Sequence, residues 1–392
     1  MNELSGKNRL MKEVDAISRE IREIAKWLYL NPETPREERK AVEYLTAYLH
    51  KNGFEIERNT AGLETAFIAR YKKYSGGPRV GFLAEYDALP GVGHGCGHNL
   101  IAASCIGGAV ALAKVLDGPG EIIVFGTPDE EYDGGKILMA QAGVFKGLNA
   151  AMQIHFWNTK GFIGTSSSPH QTMVISFKGK ASHSAATSSE GINALNAVLI
   201  SFAGLHALQQ NLRPGTKLPA TITHGGGSPN AVPEFAQFRI HVTTVEADYL
   251  PKVVEKVKNC ARAGALATGA EVDIWEGPVY KSLPYNKPLA NVLRRQIEEL
   301  GYELEDAHGL QAATDVGNVG WECPTVFGLM DLGTNALLHS REFADATVGE
   351  QGKKGVIDAV KAMAFSALEI IEDEELCKVI DADYRAVIFG GR

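Results

Sequence analysis

The spacing of apolar residues in the first part of the chain alternates between a helical period and short unbroken runs. In residues 32–54, Val42, Leu45 and Leu49 recur on one helix face, and Gly53 follows the last of them. Three apolar runs then end in polar residues: RVGFLAEYD, EIIVFGTPDEE and AAMQIHFWN. Such runs are typical of buried parallel strands. The pattern therefore predicts a mostly parallel sheet with helices between its strands.

The ends of these three runs are the expected place for function. In open α/β sheets, functional groups gather beyond the carboxyl ends of the strands, and all three runs end in chemically reactive residues. The helix after the first run should begin near Asn99, a residue type that often caps helices, and continue through IAASCIGGAVALAKVL.

From about Gln171 the pattern of elements changes. It predicts strand, helix, two strands, helix and strand, over TMVISFKGK, GINALNAVLISFAGLHAL, PATITHGG, EFAQFRIHVTT, DYLPKVVEKVKNCARAGALA and AEVDIWEG. The order β-α-β-β-α-β is the ferredoxin-like arrangement. After Pro284 helices and short strands return. We therefore predict an α/β catalytic domain of residues 1–170 and 284–392, with an inserted α+β domain at 171–283.

Composition excludes several classes of partner. The chain has 392 residues, more than one ordinary domain, and its 39 basic and 47 acidic residues give a net charge of −8. Without a basic face, a nucleic-acid or anionic-membrane partner is not expected. No run is apolar for the roughly 18 to 20 residues that cross a bilayer. The N-terminus lacks a signal-peptide pattern, and the five cysteines form no disulfide framework, so we expect a cytoplasmic protein.

The densest chemical signal is HGCGHN at residues 94–99, between a predicted strand and a predicted helix. Cys96 and His98 are two residues apart, so in extended backbone their side chains project to the same side. A thiolate and an imidazole placed in this way can share a metal centre, and the helix N-terminus favours the thiolate. A buried cysteine and a hydrogen-bonded histidine in a glycine-rich turn would give the same motif, so these two residues alone do not decide.

Two adjacent glutamates, Glu130 and Glu131, follow the apolar strand EIIVFG. Adjacent side chains point in different directions, so one carboxylate can bind a metal while the other faces the attacking water as general base. An acidic surface loop is the alternative, and it fits less well directly after a fully apolar strand.

Two histidines and an aspartate complete the candidates. His155 in MQIHFW and His339 in LLHSREF each follow apolar residues, where a histidine is usually a hydrogen-bonded core residue. Asp87 ends the first run and either orients a ligand or begins a turn. With the cysteine, histidine and glutamate above, the two histidines would supply five protein ligands, enough for two ions that share a water.

These motifs, in this order, resemble those of the peptidase M20 family, the aminoacylase-1 and glutamate-carboxypeptidase superfamily. The resemblance lies in EYDALPGVGHGCGHN, GTPDEEYDGGK, IHFW, KGKASHSA, SPNAVP and TDVGN followed by LLHSREF, and it extends over essentially the whole chain. Within the family it is to the amidohydrolase branch, which includes aminobenzoyl-glutamate hydrolases, auxin-conjugate hydrolases and aminoacylase-1-like dipeptidases.

The resemblance implies a role for each matching residue. It implies that Glu130 is the general base and that Asp87 steadies a metal-binding residue. In the inserted domain, it implies that His183 reaches into the partner subunit's site to hold the substrate carbonyl and that Asn230 contacts the substrate. It implies five metal ligands: Cys96, His98, Glu131, His155 and His339.

Three positions depart from the pattern of the branch. Asn99 replaces the usual aspartate, although the aminoacylase-1-like dipeptidases share this asparagine, and Asp129 replaces the usual alanine. Thr243 stands where the family has the arginine that binds the substrate carboxylate. Arg239 is four residues away in a strand, which does not put it in the same place. Recognition of an α-carboxylate is therefore left open.

Together, these observations predict a binuclear metal-dependent hydrolase that works as a homodimer through the inserted domain. Its substrate would be the amide bond of an N-acyl amino acid, an aminobenzoyl-glutamate-like conjugate or a dipeptide. Zinc suits the ligand set best, with manganese, cobalt or nickel as alternatives. Deamination or decarbamoylation at the same centre is the alternative that Thr243 leaves open. A third hypothesis is that the protein is a non-catalytic metal-binding homologue. Glu130 argues against this hypothesis because metal binding needs no base.

Overall fold

The computed structural model describes residues 6–164, 168–305 and 314–390. These residues form two compact units, each with its own apolar core. The larger unit consists of residues 6–164, 283–305 and 314–390, and the smaller unit of residues 168–282.

The larger unit contains a six-stranded sheet. Its strands are Glu55–Arg58 (β1), Phe67–Lys72 (β2), Arg79–Ala84 (β3), Glu121–Gly126 (β4), Ala150–Trp157 (β5) and Thr325–Asp331 (β10). They lie in the order β1-β2-β4-β3-β5-β10. The last four strands of this order run parallel, whereas β1 pairs antiparallel with β2, and β2 with β4. The mostly parallel sheet predicted from the three apolar runs is confirmed.

Helices cover this sheet. They are Gly6–Leu30 (α1), Arg39–Lys51 (α2), His98–Val115 (α3), Gly135–Gln141 (α4), Lys287–Glu299 (α7), Val316–Gly320 (α8), Arg341–Thr347 (α9), Glu350–Glu372 (α10) and Glu374–Phe389 (α11). Helix α3 packs against α1 and α10 in the largest apolar cluster. Among the described residues, α3 alone is long and apolar enough to cross a membrane, but 94% of it is buried within the protein. It is the central helix of the core.

Helix α3 begins at His98, near the predicted position, but its N-cap differs from the prediction. The N-cap is Gly97, whose φ of 81° lies in the left-handed region that favours glycine. Asn99 is inside the helix and fully buried, and its side-chain amide donates to the Ala25 carbonyl at 3.1 Å and to Thr347 Oγ1 at 2.9 Å. The predicted N-cap is therefore wrong: Asn99 fastens α3 to its neighbours instead.

The smaller unit contains a separate antiparallel sheet. Its strands are His170–Lys178 (β6), Ala220–His224 (β7), Phe235–Thr243 (β8) and Glu271–Tyr280 (β9), and its helices are Ala194–Gln209 (α5) and Leu250–Thr268 (α6). The strands lie in the order β7-β8-β6-β9, which leaves β7 and β9 as edges. Apolar side chains of β6 and β8 pack with α5 and α6 in one cluster. The predicted α+β fold class of this segment is confirmed.

Candidate metal centre

The chain segments that follow the parallel strands carry the candidate residues of the larger unit. Asp87 follows β3, Glu130 and Glu131 follow β4, and His155 lies within β5. These three strands are neighbours and parallel, so their carboxyl ends lie at one edge of the sheet. The geometry expected for open α/β sheets is thus present.

The five candidate ligands form overlapping groups in which all ligand atoms lie within 4.8 Å of one another. One group is Cys96, His98 and His155, and a second is Cys96, Glu131 and His339. Cys96 Sγ lies 3.4 Å from His155 Nε2, and His339 Nε2 lies 3.6 Å from Glu131 Oε1. Cys96 therefore belongs to both groups and sits between them.

Asp87 holds two of these residues in place. Its Oδ1 lies 3.0 Å from His98 Nδ1, and its Oδ2 accepts the Glu131 backbone N–H at 3.1 Å. The second ring nitrogen of His98, Nε2, is left to face the other groups. A carboxylate behind a histidine ligand fixes the ring orientation and raises its basicity. Burial acts to lower the pKa of His98, but the charges of Asp87 and Cys96 and the hydrogen bonds to both residues together raise it.

The two remaining histidines are held by backbone. His155 Nδ1 is 2.8 Å from the Phe156 carbonyl, so its Nε2 faces Cys96. Burial, aided by the charge of His98, lowers the pKa of His155 to about 4 and keeps this ring neutral, as metal binding requires. His339 adopts a left-handed φ of 63°, and its backbone N–H donates to the Gly95 carbonyl at 2.8 Å. This bond joins the His339 loop to the HGCGHN turn.

Glu130 lies beside the ligands. Its Oε2 is 3.9 Å from His98 Nε2, and its side chain is largely buried. Burial and then the charge of Glu85 raise the pKa of Glu130 well above its usual range. A carboxyl group of raised pKa is suited to take a proton from water and to release it again.

Several buried polar atoms fit a bound cation. His98 Nε2, Glu131 Oε1 and Glu85 Oε2 have no hydrogen-bond partner. His98 Nε2 lies 3.6 Å from the Glu85 oxygen and 4.0 Å from the Glu131 oxygen, so the three atoms face one space. Buried polar atoms without partners are costly, and a divalent cation would satisfy all three. Burial raises the pKa of the Cys96 thiol, and a cation would reverse that by binding the thiolate.

The extra charge at Asp129 is neutralised locally. Asp129 has a left-handed φ of 62°, and its Oδ2 accepts from Arg36 Nε at 2.7 Å. Its backbone N–H donates to Glu38 Oε1 at 3.0 Å. Although burial raises the pKa of Asp129 to about 6, Arg36 acts in the opposite direction. The departure from the family's alanine therefore pins the loop that carries the two glutamates.

Sequence reasoning missed three residues of this region. Glu85, Lys136 and Asp315 form a buried ionic cluster next to His98. Lys136 and Asp315 stand in the motifs GTPDEEYDGGK and TDVGN, where their charge was a usable signal. Glu85 precedes Asp87 by two residues, the spacing that puts side chains on one side of a strand.

In the smaller unit, His183 and Asn230 lie next to each other. The Ser184 N–H donates to the Asn230 carbonyl at 3.0 Å, and both predicted residues are exposed. His183 Nδ1 accepts the backbone N–H groups of Ala185 and Ala186 at 3.3 and 3.2 Å. In the neutral ring the proton is therefore on Nε2, where it can donate to another molecule.

Thr243, the third departure, ends β8 opposite His170. Arg239 lies in the same strand, paired with Val174. Four residues of strand span roughly 13 Å, so Arg239 does not replace a side chain at position 243.

Comparisons with known proteins identify the family. A model of the peptidase family M20/M25/M40 matches residues 81–362. A Xaa-Arg dipeptidase of Mus musculus is 32% identical, over 97% of this chain and 92% of its own length. A component of the p-aminobenzoyl-glutamate hydrolase of Escherichia coli K12 is 29% identical, over 74% of this chain and 64% of its own length.

Solved structures share the fold. An aminobenzoyl-glutamate utilization protein from Klebsiella pneumoniae has a TM-score of 0.73 at 16% identity, covering 92% of this chain and 98% of that one. The YXEP protein of Bacillus subtilis, a dinuclear metal-binding peptidase, has a TM-score of 0.66 at 22% identity, covering 91% and 100%. The family predicted from the motifs is confirmed: the chain belongs to peptidase family M20/M25/M40 and is a metal-dependent peptide or amide hydrolase.

Proposed function

We propose that the protein binds two divalent metal ions and hydrolyses the amide bond of a dipeptide or N-acyl amino acid. The observation that carries the proposal is the pair of ligand groups that share Cys96, with Glu130 beside them. One ion would be held by His98 and His155, the other by Glu131 and His339, and Cys96 would serve both. Zinc suits thiolate, imidazole and carboxylate ligands best, and manganese, cobalt and nickel are the alternatives to test.

The residues around this centre divide the chemical work. Bound divalent ions would lower the pKa of a coordinated water and polarise the substrate carbonyl. Glu130 takes a proton from the attacking water, and as the C–O bond forms the carbonyl π electrons move onto the substrate oxygen. The C–N bond breaks when the carbonyl re-forms and Glu130 passes the proton to the departing nitrogen. Asp87 keeps His98 and Glu131 oriented while this happens. His183 donates to the developing oxyanion.

The substrate class follows from the relatives. The mouse relative that matches nearly the whole chain is a Xaa-Arg dipeptidase, so a dipeptide with a basic C-terminal residue is the first substrate to test. The absence of an arginine at Thr243 favours a different anchor for the substrate carboxylate than the one that the family uses. Asn230, exposed beside His183, is our candidate for a substrate contact.

We further propose that the active form is a homodimer built through the smaller unit. Strand β7 ends the sheet order and offers an edge, with Ile222 39% exposed on it. On α5, Leu199 is 52% and Ile200 39% exposed. An exposed strand edge and exposed apolar side chains are what a symmetric interface would cover. In such a dimer, His183 of each chain would serve the site of the other.

A cytoplasmic location fits the cysteines. All five are free thiols, and Cys96, Cys105, Cys323 and Cys377 are buried. A thiolate metal ligand is preserved in a reducing compartment.

The test is a substrate panel assayed together with metal analysis. Purified protein would be incubated with Xaa-Arg and Xaa-Lys dipeptides, N-acetyl amino acids, aminobenzoyl-glutamate and N-carbamoyl amino acids, and products would be quantified by mass spectrometry. We expect two ions per chain and hydrolysis of at least one amide. Removing the ions with a chelator should abolish turnover, and adding them back should restore it. Turnover of N-carbamoyl compounds alone would favour the rival function, and metal-loaded protein inactive on the whole panel would contradict both.

A further inference from the structure

A lysine ammonium is completely buried beside the metal-binding side chains. Lys136 Nζ donates to Glu85 Oε1 at 2.5 Å and to Asp315 Oδ1 at 2.7 Å. The Lys136 backbone N–H also donates to Asp315 Oδ2 at 2.9 Å, and all three side chains are at most 1% exposed. Charges removed from water to this degree are retained only when they are paired and hydrogen-bonded. These three residues, called here the lysine triad, therefore form an ordered unit.

Glu85 has a second oxygen that the lysine does not use. Its Oε2 has no hydrogen-bond partner and lies 3.6 Å from His98 Nε2. Because Asp87 holds the other ring nitrogen, Nε2 is the atom of His98 that faces a metal ion. Two ligand atoms of one tetrahedral ion, each bound at about 2.1 Å, are roughly 3.4 Å apart. The observed separation of 3.6 Å is close to this spacing, so the two atoms can reach the same ion.

The hydrogen bonding of Glu85 suits a ligand. A ligating carboxylate normally has its other oxygen hydrogen-bonded by a neighbouring residue, and Lys136 supplies that bond. Glu85, Glu130 and Asp315 also bring ligand oxygens within 4.8 Å of one another, but Lys136 already pairs with Glu85 and Asp315 in this group. We therefore place no third ion there.

We propose that Glu85 is a sixth protein ligand of the metal centre, bound to the ion that His98 holds, and that Lys136 and Asp315 position it. This inference rests on the proposed function, since it concerns the same ions. The hydrolytic mechanism assigns no role to the lysine triad, whereas this inference gives it one, which is to position a metal ligand. Glu85 adds a negative ligand to that ion, and Lys136 limits how much charge it donates.

The experiment compares two buried carboxylates by their effect on metal binding. Full-length wild type, Glu85→Gln and Asp358→Asn would be freed of metal, titrated with Zn²⁺ against a chromophoric chelator, and loaded with Co²⁺ for electronic absorption spectra. Asp358 is the control, because it is a buried carboxylate of the same unit that contacts Tyr302 and Lys354 and no candidate ligand. For Glu85→Gln we expect one ion to bind at least about 10-fold more weakly. The visible cobalt bands should also change in intensity, because that ion loses a ligand, whereas Asp358→Asn should leave both readings unchanged.

Normal affinity for both ions and an unchanged cobalt spectrum in Glu85→Gln would overturn the inference. If that variant does not fold, Glu85→Asp takes its place. It keeps the charge that Lys136 needs but is one methylene shorter, so the same ion should bind more weakly, and wild-type affinity would overturn the inference equally. A wild-type protein that binds no divalent ion would instead contradict the proposed function along with this inference. If the wild type binds two ions and hydrolyses an amide, the proposed function holds, and the Glu85 variants then test this inference alone.

Discussion

The two units present their functional residues in opposite ways. In the larger unit, Asp87, His98 and Lys136 are at most 1% exposed, and polar side chains hold each of them. In the smaller unit, His183 and Asn230 are exposed, and their neighbours are loop residues. The candidate residues of the larger unit are therefore held in place within it, whereas we expect those of the smaller unit to act only when another molecule reaches them.

Loss of a shared ligand should have the largest effect. Cys96 belongs to both ligand groups, so Cys96→Ala is expected to weaken both ions and to lower kcat by several orders of magnitude. His339→Ala removes a ligand from one group only and should leave one ion bound. Elemental analysis after dialysis measures this difference. Cys323→Ala, a buried cysteine of the same unit outside the groups, is the control and should keep two ions. Equal metal content in all three variants would contradict the ligand set.

Removal of His183 should act on turnover without affecting metal. Loss of one oxyanion donor typically lowers kcat by about 10²- to 10³-fold, so His183→Ala should show that loss with two ions still bound. Steady-state kinetics and metal analysis of the same preparation test this. A loss of metal would mean that His183 has a different role.

Mixed dimers then show whether His183 acts across subunits. Each of His183→Ala and Glu130→Gln should be nearly inactive alone. A heterodimer of the two should regain turnover at the one site that has both an intact Glu130 and an intact partner histidine. A verified heterodimer without recovery would mean that His183 acts within its own chain.

A charge on the strand edge should separate the subunits. Ile222→Lys places a cation on β7, where an interface would bury it unpaired, so we expect the dimer to dissociate and turnover to fall as far as in His183→Ala. Light scattering measures the mass. Leu266→Lys is the control, because Leu266 is 88% exposed on α6 and its charge would stay in water. Dissociation in both variants, or in neither, would contradict an interface at β7.

The ion pairs of the two units should differ in their contribution to stability. Lys136→Met leaves the carboxylates of Glu85 and Asp315 buried without their cation and should cost about 3–5 kcal/mol of unfolding free energy. Lys258→Met breaks the partly exposed pair with Glu276 in the smaller unit and should cost at most about 1 kcal/mol. Urea unfolding of the metal-free proteins gives both values. Similar costs would mean that the lysine triad is not a special feature of the larger unit.

The pattern of apolar and polar residues correctly predicted those strands and helices that are determined by short stretches of sequence. The unbroken apolar runs identified β3, β4 and β5, and the order of strands and helices identified the fold class of the smaller unit. Helix α1 was not predicted, although Leu10, Val14 and Ile21 share its buried face. The prediction of Asn99 as the N-cap of α3 was wrong because the buried hydrogen bonds of its side chain to α1 and α9 outweighed its capping preference.

The candidate site was predictable to the extent that its residues stand in short motifs. Cys96 and His98 are two residues apart, and Glu130 and Glu131 are adjacent, so chemistry was visible in the sequence. The contact between Lys136 and Asp315 was not, because 179 residues separate the two and only the fold brings them together.

The central claim, that one glutamate binds metal while its neighbour transfers the proton, is tested most directly by Glu130→Gln. Metal content and kcat would be measured on one preparation, with Glu131→Gln alongside, since Glu131 belongs to a ligand group. Glu130→Gln should retain two ions per chain and lose several orders of magnitude in kcat, whereas Glu131→Gln should lose metal as well. Turnover near the wild-type rate in Glu130→Gln with both ions bound would contradict the assignment of Glu130 as the base.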